Sequence, residues 1–250
     1  MITNPNAWQS YRFDEIEKAP RAIGIYAWYG ILNVGPMDWK DEDIEMRSGE
    51  NSLRNVLFRH TQRFRPQELA THARRNWHVW KGRLKDDRFQ KFVDLVIKNN
   101  AAAESVVNNQ QAQLIERDRA TLNAALVSDA NRGALVRILA AAAPVLSAPI
   151  YIGQTDNLRR RLSIHKASFL NVRSIQMDDT SQQATERDLD ASFATRAVNA
   201  GFTSENLVVY TLNVDEFLKN GSHSQLNRKQ ITKSAEILLN NWARPILGKR

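Results

Sequence analysis

The chain has 250 residues, 42% of them hydrophobic, and a formal net charge of +8. These values are typical of a chain that buries one large or two small hydrophobic cores. No run approaches the roughly 20 apolar residues needed to span a bilayer, and the N-terminus lacks the pattern of a signal peptide. The lack of cysteine excludes disulfides, thiolate zinc sites and cysteine nucleophiles. We therefore expect a cytoplasmic protein without a membrane partner.

The positive charge is concentrated in one short segment. Between Arg54 and Lys91 there are eleven Lys and Arg but only three Asp and Glu, so this window alone carries +8. The 24 basic and 24 acidic residues elsewhere cancel. Such a local excess favours a polyanionic partner, because each cation that meets a phosphate releases a condensed counterion. A solvated basic face is the alternative.

The first predicted elements are a strand and a helical block. Residues 1–20 suggest an irregular lead-in or a short helix, and dense β-branched and aromatic residues predict a strand over Arg21–Tyr29. Residues 30–51 contain Gly, Pro and acidic side chains, which predict a loop. From Ser52 onward apolar residues recur at helical spacing, and Phe89–Leu139 continues as mostly helix.

The pattern changes after Pro144. A second strand is predicted over Ala148–Gly153, and Thr155 or Asp156 is a suitable N-cap for a helix that begins at Leu158. The remaining predicted elements are a helix, a third strand and a final helix: about Ala184–Asn199, Leu207–Leu212 and roughly Lys229–Trp242. This order predicts a small α/β core, residues 1–30 and 145–250, interrupted by a mostly α-helical insertion at 31–144.

Two tripeptides and three later side chains carry the candidate chemistry. The first strand contains GIY at 24–26, and the second contains YIG at 151–153; either tripeptide alone is a weak signal. Arg161 and His165 are four residues apart, which puts them on one side of the following helix. Glu236 lies in an apolar stretch of the last helix, where a carboxylate is costly if it is buried without a partner.

This ordered set resembles the GIY-YIG endonuclease family. The family pattern is GIY on one strand, YIG on the next, a helix with Arg and often His, a Glu on a later helix and a Pro-x-x-Asn ending. The resemblance covers residues 21–29, 148–170 and 205–248 and leaves the insertion out. It implies an α/β core with a three-stranded antiparallel sheet flanked by helices, in which the first two strands pair.

Two features depart from the family pattern. The family has a short connection between its two tyrosine motifs, whereas Tyr26 and Tyr151 are 125 positions apart. A folded insertion is tolerable there, because the entropy lost on closing a loop grows slowly with its length. Gly248 stands where the family usually has Asn. Either a nearby amide such as Asn240 or Asn241 replaces it, or the enzyme is weakened.

The resemblance implies hydrolysis of DNA phosphodiester bonds with Mg²⁺, for which Mn²⁺ can substitute. Glu236 is implied as the metal ligand and Arg161 as the residue that stabilises charge on the phosphate. Tyr26 is implied as general base or water-positioning group, supported by Tyr151, and its phenolate would need nearby cations because a free phenol has a pKa near 10. His165 shares the base role or contacts the phosphate.

Each of these residues also has a structural explanation. The tyrosines are then ordinary strand aromatics, and Arg161 is a surface charge within the run RRR. His165 is then a packed core histidine, since it extends the apolar stripe of Leu158, Leu162 and Phe169.

The insertion is interpreted as the DNA-reading module. Its predicted contacts are the cations of the basic window: Arg54, Arg59, Arg63, Arg74, Arg75, Lys81, Arg83 and Lys85. Trp77 and Trp80 either stack on bases or belong to the core of the helical block.

The leading hypothesis is a restriction- or defence-type endonuclease of double-stranded DNA, for which palindromic sites would favour a homodimer. A structure-specific repair nuclease is the nearest enzymatic alternative. A catalytically silent DNA-binding protein with the same fold is the alternative from another class. Gly248 is its main support, and the intact Tyr26, Tyr151, Arg161 and Glu236 argue against it.

Overall fold

A computed structural model describes the chain over eight ranges: 8–41, 48–64, 70–75, 78–83, 92–99, 109–178, 192–219 and 224–248. Contacts divide the chain into two compact units, one formed by 1–33 with 141–250 and the other by 34–140. These limits lie within four residues of the boundaries predicted between core and insertion. In those ranges no helix combines the length and apolar character needed to cross a membrane.

The described elements are numbered in chain order. The strands are β1 (Trp8–Arg12), β2 (Gly24–Gly30), β3 (Ala70–Arg75), β4 (His78–Arg83), β5 (Tyr151–Thr155) and β6 (Leu207–Asn213). The α-helices are α1 (Gly49–Arg63), α2 (Asn109–Leu126), α3 (Asp129–Leu146), α4 (Leu158–Asp178), α5 (Phe193–Asn199), α6 (Val214–Phe217) and α7 (Gln225–Ala243). Short 3₁₀ turns occupy Phe13–Lys18, Pro36–Asp38 and Ser204–Asn206, and one π-helical turn occupies Phe92–Ile97.

The first unit is built on a four-stranded sheet in the order β1-β6-β2-β5, with every neighbouring pair antiparallel. The central position of β2 fits its sequence, GIYAWYG, because nearly all of its residues are buried and a strand covered on both faces needs a continuous apolar run. The mixed α/β class predicted from the sequence is therefore present, and the GIY and YIG strands pair.

The sheet has four strands rather than the three predicted. The additional strand is β1, which lies at the edge of the sheet beside β6. Its sequence, WQSYR, buries only Tyr11. The segment therefore lacks the run of apolar and β-branched residues by which a strand is predicted, and its pairing with β6 determines its conformation.

The two faces of the sheet pack against different helices, because successive side chains of a strand point to opposite sides. On one face Ile25 and Ala27 pack with side chains of α7, among them Leu239. On the other face Tyr26 and Trp28 contact aromatic rings on α4 and α5. The sheet of this unit thus lies between α7 and the pair formed by α4 and α5.

The second unit contains a β-hairpin that the sequence did not predict. Strands β3 and β4 pair with Ala70 opposite Arg83 and Arg75 opposite His78. Neither strand has the alternating apolar pattern from which a half-buried strand is predicted. The sequence predicted a mostly helical insertion without this hairpin, and α1, α2 and α3 agree with the predicted helical segments.

One buried arginine ties the elements of the second unit together. Arg54 is 6% exposed, and its Nε donates to Glu50 at 2.9 Å. Its Nη1 donates to the backbone carbonyls of Val96 and Ile97, and its Nη2 donates to Asn123 at 2.6 Å. The predicted DNA contact at Arg54 is therefore corrected, because this guanidinium is used inside the unit and not offered at its surface.

Candidate active site

The register of β2 and β5 brings the two tyrosine motifs together. Tyr26 lies opposite Gly153, and Trp28 lies opposite Tyr151. The ring centroids of Tyr26 and Tyr151 are 6.1 Å apart. Two tripeptides that are distant in sequence therefore share one face of the sheet.

The glycines of both motifs are required by close packing. A Cβ on Gly153 would lie 2.5 Å from the phenol oxygen of Tyr26 and 3.0 Å from a ring carbon of Tyr151. A Cβ on Gly24 would lie 2.5 Å from the carbonyl oxygen of Leu212 and would also meet a side chain of α4. Both glycines thus let tyrosine, strand and helix approach more closely than any larger residue would permit.

Helix α4 begins at Leu158 as predicted, but a different residue caps it. Oδ1 of Asn157 accepts the backbone N–H of Arg160 at 3.0 Å, which satisfies a free donor of the first turn. Of the predicted caps, Thr155 instead accepts the N–H of Asn157 through its hydroxyl at 3.1 Å. Asp156 forms an ion pair with a lysine of α7.

The apolar stripe of α4 fixes which side of the helix faces the sheet. Leu158, Leu162 and Phe169 are fully buried, and His165 continues the stripe at 8% exposure. Arg161, one turn before His165, is exposed. The packing thus directs His165 toward the tyrosines and leaves the charge of Arg161 accessible.

A short chain of hydrogen bonds joins three of the predicted residues. Nε of Arg161 donates to the phenol oxygen of Tyr26 at 3.3 Å. The phenol oxygen of Tyr26 lies 2.9 Å from Nε2 of His165. Tyr26 accepts from Arg161, and a hydroxyl hydrogen donated to His165 would place the ring proton of His165 on Nδ1.

The protonation of this chain is set by burial. Tyr26 is fully buried, and burial together with the neighbouring Tyr151 raises the pKa of its phenol, against the lowering effect of Arg161. Burial, and next the charge of Arg161, lowers the pKa of His165 to about 4. At neutral pH the pair is therefore a protonated phenol donating to a neutral imidazole, and Tyr26 is not a free phenolate.

Tyr151 is the phenol that reaches the surface. Its side chain is half-buried, and its ring lies 5.9 Å from that of His165 and 5.0 Å from that of Phe193. Its proximity also contributes to the raised pKa of the Tyr26 phenol. A ligand arriving from solvent would thus meet Tyr151 before Tyr26.

Glu236 approaches the same strand from the opposite helix layer. It lies on α7, half-buried, and burial raises the pKa of its carboxyl group. A hydrogen bond from the backbone of Gln154 and the charges of Lys233 and Arg161 oppose that rise. Because Gln154 belongs to β5, the edge strand of the sheet, Glu236 lies beside this edge, and its carboxyl group is within electrostatic reach of Arg161.

The sequence did not predict that α5 packs beside the tyrosines through Phe193 and Arg196. Phe193 of α5 lies with its ring 5.5 Å from that of Trp28 and 5.3 Å from that of His165. Arg196, one turn later, is 7% exposed, and its charge interacts with Tyr151 while burial lowers its pKa. Its Nε has no hydrogen-bond partner among the described residues. The sequence carries no spacing signal that would have linked Arg196 to the YIG strand.

Gly248, which stands where the GIY-YIG pattern has asparagine, belongs to the segment that follows α7. The backbone N–H of Leu247 donates to the carbonyl of Ile150 at 2.8 Å, which binds this segment to the start of β5. The two amides suggested as substitutes bond within their own helix, Asn240 to the carbonyl of Glu236 and Asn241 to that of Ile237. Neither amide is directed into the hydrogen-bonded chain of the tyrosines.

The predicted DNA contacts fall into three groups. Arg54 is buried, as described above, whereas Arg59 is exposed and Arg63 is half-buried. The backbones of Arg74, Arg75, Lys81 and Arg83 lie in the hairpin, and their side chains are outside the described part of the structure, as is the whole of Lys85. Trp77 and the side chain of Trp80 also lie outside it, so the stacking hypothesis for them stays a prediction.

No protein-family model, no curated protein and no solved structure matches this chain. The resemblance to the GIY-YIG family therefore stays a prediction from the sequence motifs. What the arrangement offers chemically is a guanidinium, two phenols, a neutral imidazole and a half-buried carboxylate at one edge of a sheet.

Proposed function

We propose that this chain is a divalent-metal-dependent endonuclease of double-stranded DNA, related to the GIY-YIG family and of restriction or defence type. One observation carries the proposal. Tyr26, Arg161 and His165 form one hydrogen-bonded chain beside Tyr151, and Glu236 reaches the same sheet edge from the opposite side. These five residues come from four separate elements, and a purely structural role would not require all of them to converge.

Hydrolysis adds a water oxygen to phosphorus and breaks the bond to the 3′ oxygen, while the attacking water gives one proton to a base and the 3′ oxygen takes one from solvent. Arg161 supports this reaction because its guanidinium is accessible while its Nε is held by Tyr26. A guanidinium fixed in this way presents its remaining donors to the charge that grows on the phosphate.

The attacking water needs a proton acceptor, and His165 supplies one. In this proposal the water proton passes to Tyr151, whose ring lies 6.1 Å from that of Tyr26, then by way of the Tyr26 hydroxyl to Nε2 of His165, which is neutral. This relay replaces the phenolate of Tyr26 that the resemblance implied, because burial keeps that phenol protonated. Tyr151 touches the water, and Tyr26 transmits the proton.

The metal of the family fits the residues present. Glu236 is a half-buried carboxylate with a raised pKa, and Mg²⁺ accepts a single protein carboxylate when waters and phosphate oxygens complete its shell. Among the described residues no group of three or more His, Asp and Glu side chains could hold the ion alone. Glu236 would therefore share the ion with DNA, where the ion neutralises phosphate charge and eases departure of the leaving oxygen.

A catalytically silent DNA-binding protein is the second candidate. Gly248 favours it, and so does the engagement of Asn240 and Asn241 within their own helix, because no described amide replaces the family asparagine. A structure-specific repair nuclease is the remaining enzymatic alternative.

The test is cleavage of plasmid and phage DNA in Mg²⁺, Mn²⁺ or EDTA by the chain and by Glu236→Gln, with Glu205→Gln, an exposed carboxylate on a 3₁₀ turn, as the control. Discrete metal-dependent fragments that disappear only in Glu236→Gln support the proposal. Nicking or cutting confined to branched duplexes favours the repair nuclease. Salt-sensitive binding to DNA without cleavage in either metal overturns the proposal and favours the silent binder.

A further inference from the structure

Helix α1 presents an unusual stripe of side chains to solvent. Asn51, Asn55 and Arg59 are exposed, and Gln62 is partly exposed. Their spacing places them within roughly 80° of the helix circumference. The opposite side of α1 is buried through Leu53, Arg54 and Val56. The stripe Asn51-Asn55-Arg59-Gln62 is thus the outer face of a helix whose inner face is already packed.

The stability of α1 does not account for this choice of residues. Asn is among the poorer helix formers, at a cost of roughly 0.7 kcal/mol relative to Ala in a helix interior, and Asn55 lies in the interior of α1. Solvent faces of helices are usually built from Lys and Glu pairs four residues apart. Glu50 instead pairs with the buried Arg54, and the stripe itself carries no acidic residue.

The stripe borders an open surface depression of about 670 Å³. Asn51, Asn55 and Arg59 line it together with Ser48, Phe58 and Asp38. Oδ2 of Asp38 is occupied by the backbone N–H of Gly35 at 2.9 Å. Beside this carboxylate, the amides and the guanidinium are the groups that the surface offers to a partner.

We propose that this stripe of α1 reads base edges in the major groove of double-stranded DNA, an inference that rests on the proposed function and names its specificity element. Asn and Gln form paired hydrogen bonds with adenine, and Arg forms them with guanine. From Asn51 to Gln62 the helix rises by roughly 16 Å, which matches four to five base pairs at about 3.4 Å each.

Charge argues for DNA as the occupant. The window from Arg54 to Lys91, which begins within α1 and includes the β3–β4 hairpin, carries the whole net charge of the chain. A stripe of three amides and one guanidinium without carboxylates, on the helix in which this segment begins, suits a partner with a polyanionic backbone and hydrogen-bonding edges. Contacts to the phosphates would supply most of the affinity, and the stripe would distinguish one base sequence from another.

The test is selection of duplexes from a random-sequence pool by the full chain, with EDTA or Ca²⁺ in place of Mg²⁺ so that binding is scored without cleavage. The variants are Asn55→Ala and Arg59→Ala, and the control is Gln113→Ala, an exposed amide on α2 of the same unit. We expect the chain to select a defined sequence. Each variant should bind that sequence roughly 5- to 150-fold more weakly, because it loses its base preference at one or two positions. Asn55→Ala should bind unrelated duplexes as the unmodified chain does, with the same salt dependence of binding.

The inference would be overturned if the unmodified chain selected no sequence, or if Asn55→Ala selected the same sequence with the same affinity. Tighter binding of duplex RNA than of duplex DNA would overturn it as well. An altered preference in Gln113→Ala would also remove its basis, because that residue lies outside the stripe. The proposed function is tested by a different readout. Sequence selection without any cleavage would reject the nuclease but would still support base reading by the stripe.

Discussion

The phenol oxygen of Tyr26 lies directly against the backbone of Gly153, its partner across β2 and β5. The contact leaves no room for a side chain on Gly153, because a Cβ there would fall 2.5 Å from that oxygen. The same oxygen accepts from Arg161 and donates to His165. The position of the whole hydrogen-bonded chain therefore depends on the lack of one methyl group.

We expect Gly153→Ala to fold with reduced stability and to lose cleavage activity. The added methyl group must displace the ring of Tyr26, and overpacking of this kind costs about 1–3 kcal/mol in a well-packed core. Denaturant unfolding and a cleavage assay measure the two effects. Gly35→Ala is the control, because a Cβ there meets its nearest atom at 3.7 Å and the backbone φ is −87°. Wild-type cleavage by Gly153→Ala would show that Tyr26 need not be held where it is.

Tyr26→Phe tests the hydrogen-bonded chain itself. The substitution keeps the ring but leaves Nε2 of His165 and Nε of Arg161 without their shared partner, so we expect a loss of about 1–3 kcal/mol in unfolding free energy. Cleavage should fall by at least tenfold, because the proton relay is interrupted and Arg161 is no longer held.

The matched control is Tyr29→Phe. Tyr29 lies three residues farther along β2 and therefore on the opposite face, packed against the hydrophobic cluster of Ile25 and Ala27. Its loss should leave cleavage unchanged. Equal loss of activity in both variants would assign the effect to strand packing and not to the phenol of Tyr26.

The part of this site that could be predicted is the part that local pattern determines. Regular apolar spacing identified α4 and its side facing the sheet, and the four-residue interval placed Arg161 beside His165. The GIY and YIG tripeptides pointed to strands that do pair. Each of these features follows from a few adjacent residues, and therefore survives without knowledge of the rest of the chain.

The features that escaped prediction depend on long-range contacts. Strand β1 has too few apolar residues to be recognised and exists because β6 offers a free edge. The burial of Arg54 depends on carbonyls more than forty residues away. The state of Tyr26 follows from its complete burial, which no residue in its own strand reveals.

Arg54 and Arg59 lie on one helix and should separate stability from DNA binding. Removing the buried guanidinium in Arg54→Met leaves two backbone carbonyls and the Asn123 side chain unpaired, so we expect a loss of about 2–4 kcal/mol in unfolding free energy. Arg59→Ala changes an exposed side chain and should alter stability by no more than about 0.5 kcal/mol. Its affinity for DNA should fall, while the folded fraction of Arg54→Met should bind DNA normally. Weaker binding by folded Arg54→Met with unchanged stability would restore Arg54 as a DNA contact.

The buried imidazole of His165 predicts how stability changes with pH. Its pKa is about 4 in the folded chain against 6.5 for an unperturbed histidine, so the unfolded chain binds more protons between these values. The contribution of His165 is therefore fully present above pH 6.5 and is lost as the pH falls toward 4, by about 2 kcal/mol between pH 7.5 and 5. His60 contributes in the same direction, since burial lowers its pKa to about 4 as well.

Denaturant unfolding of the unmodified chain, His165→Gln and His60→Gln at pH 7.5 and 5 separates the contributions of the two histidines. Each variant should show a smaller pH dependence than the unmodified chain, and an unchanged dependence in His165→Gln would mean that the imidazole is charged when folded and cannot serve as the proton acceptor behind Tyr26.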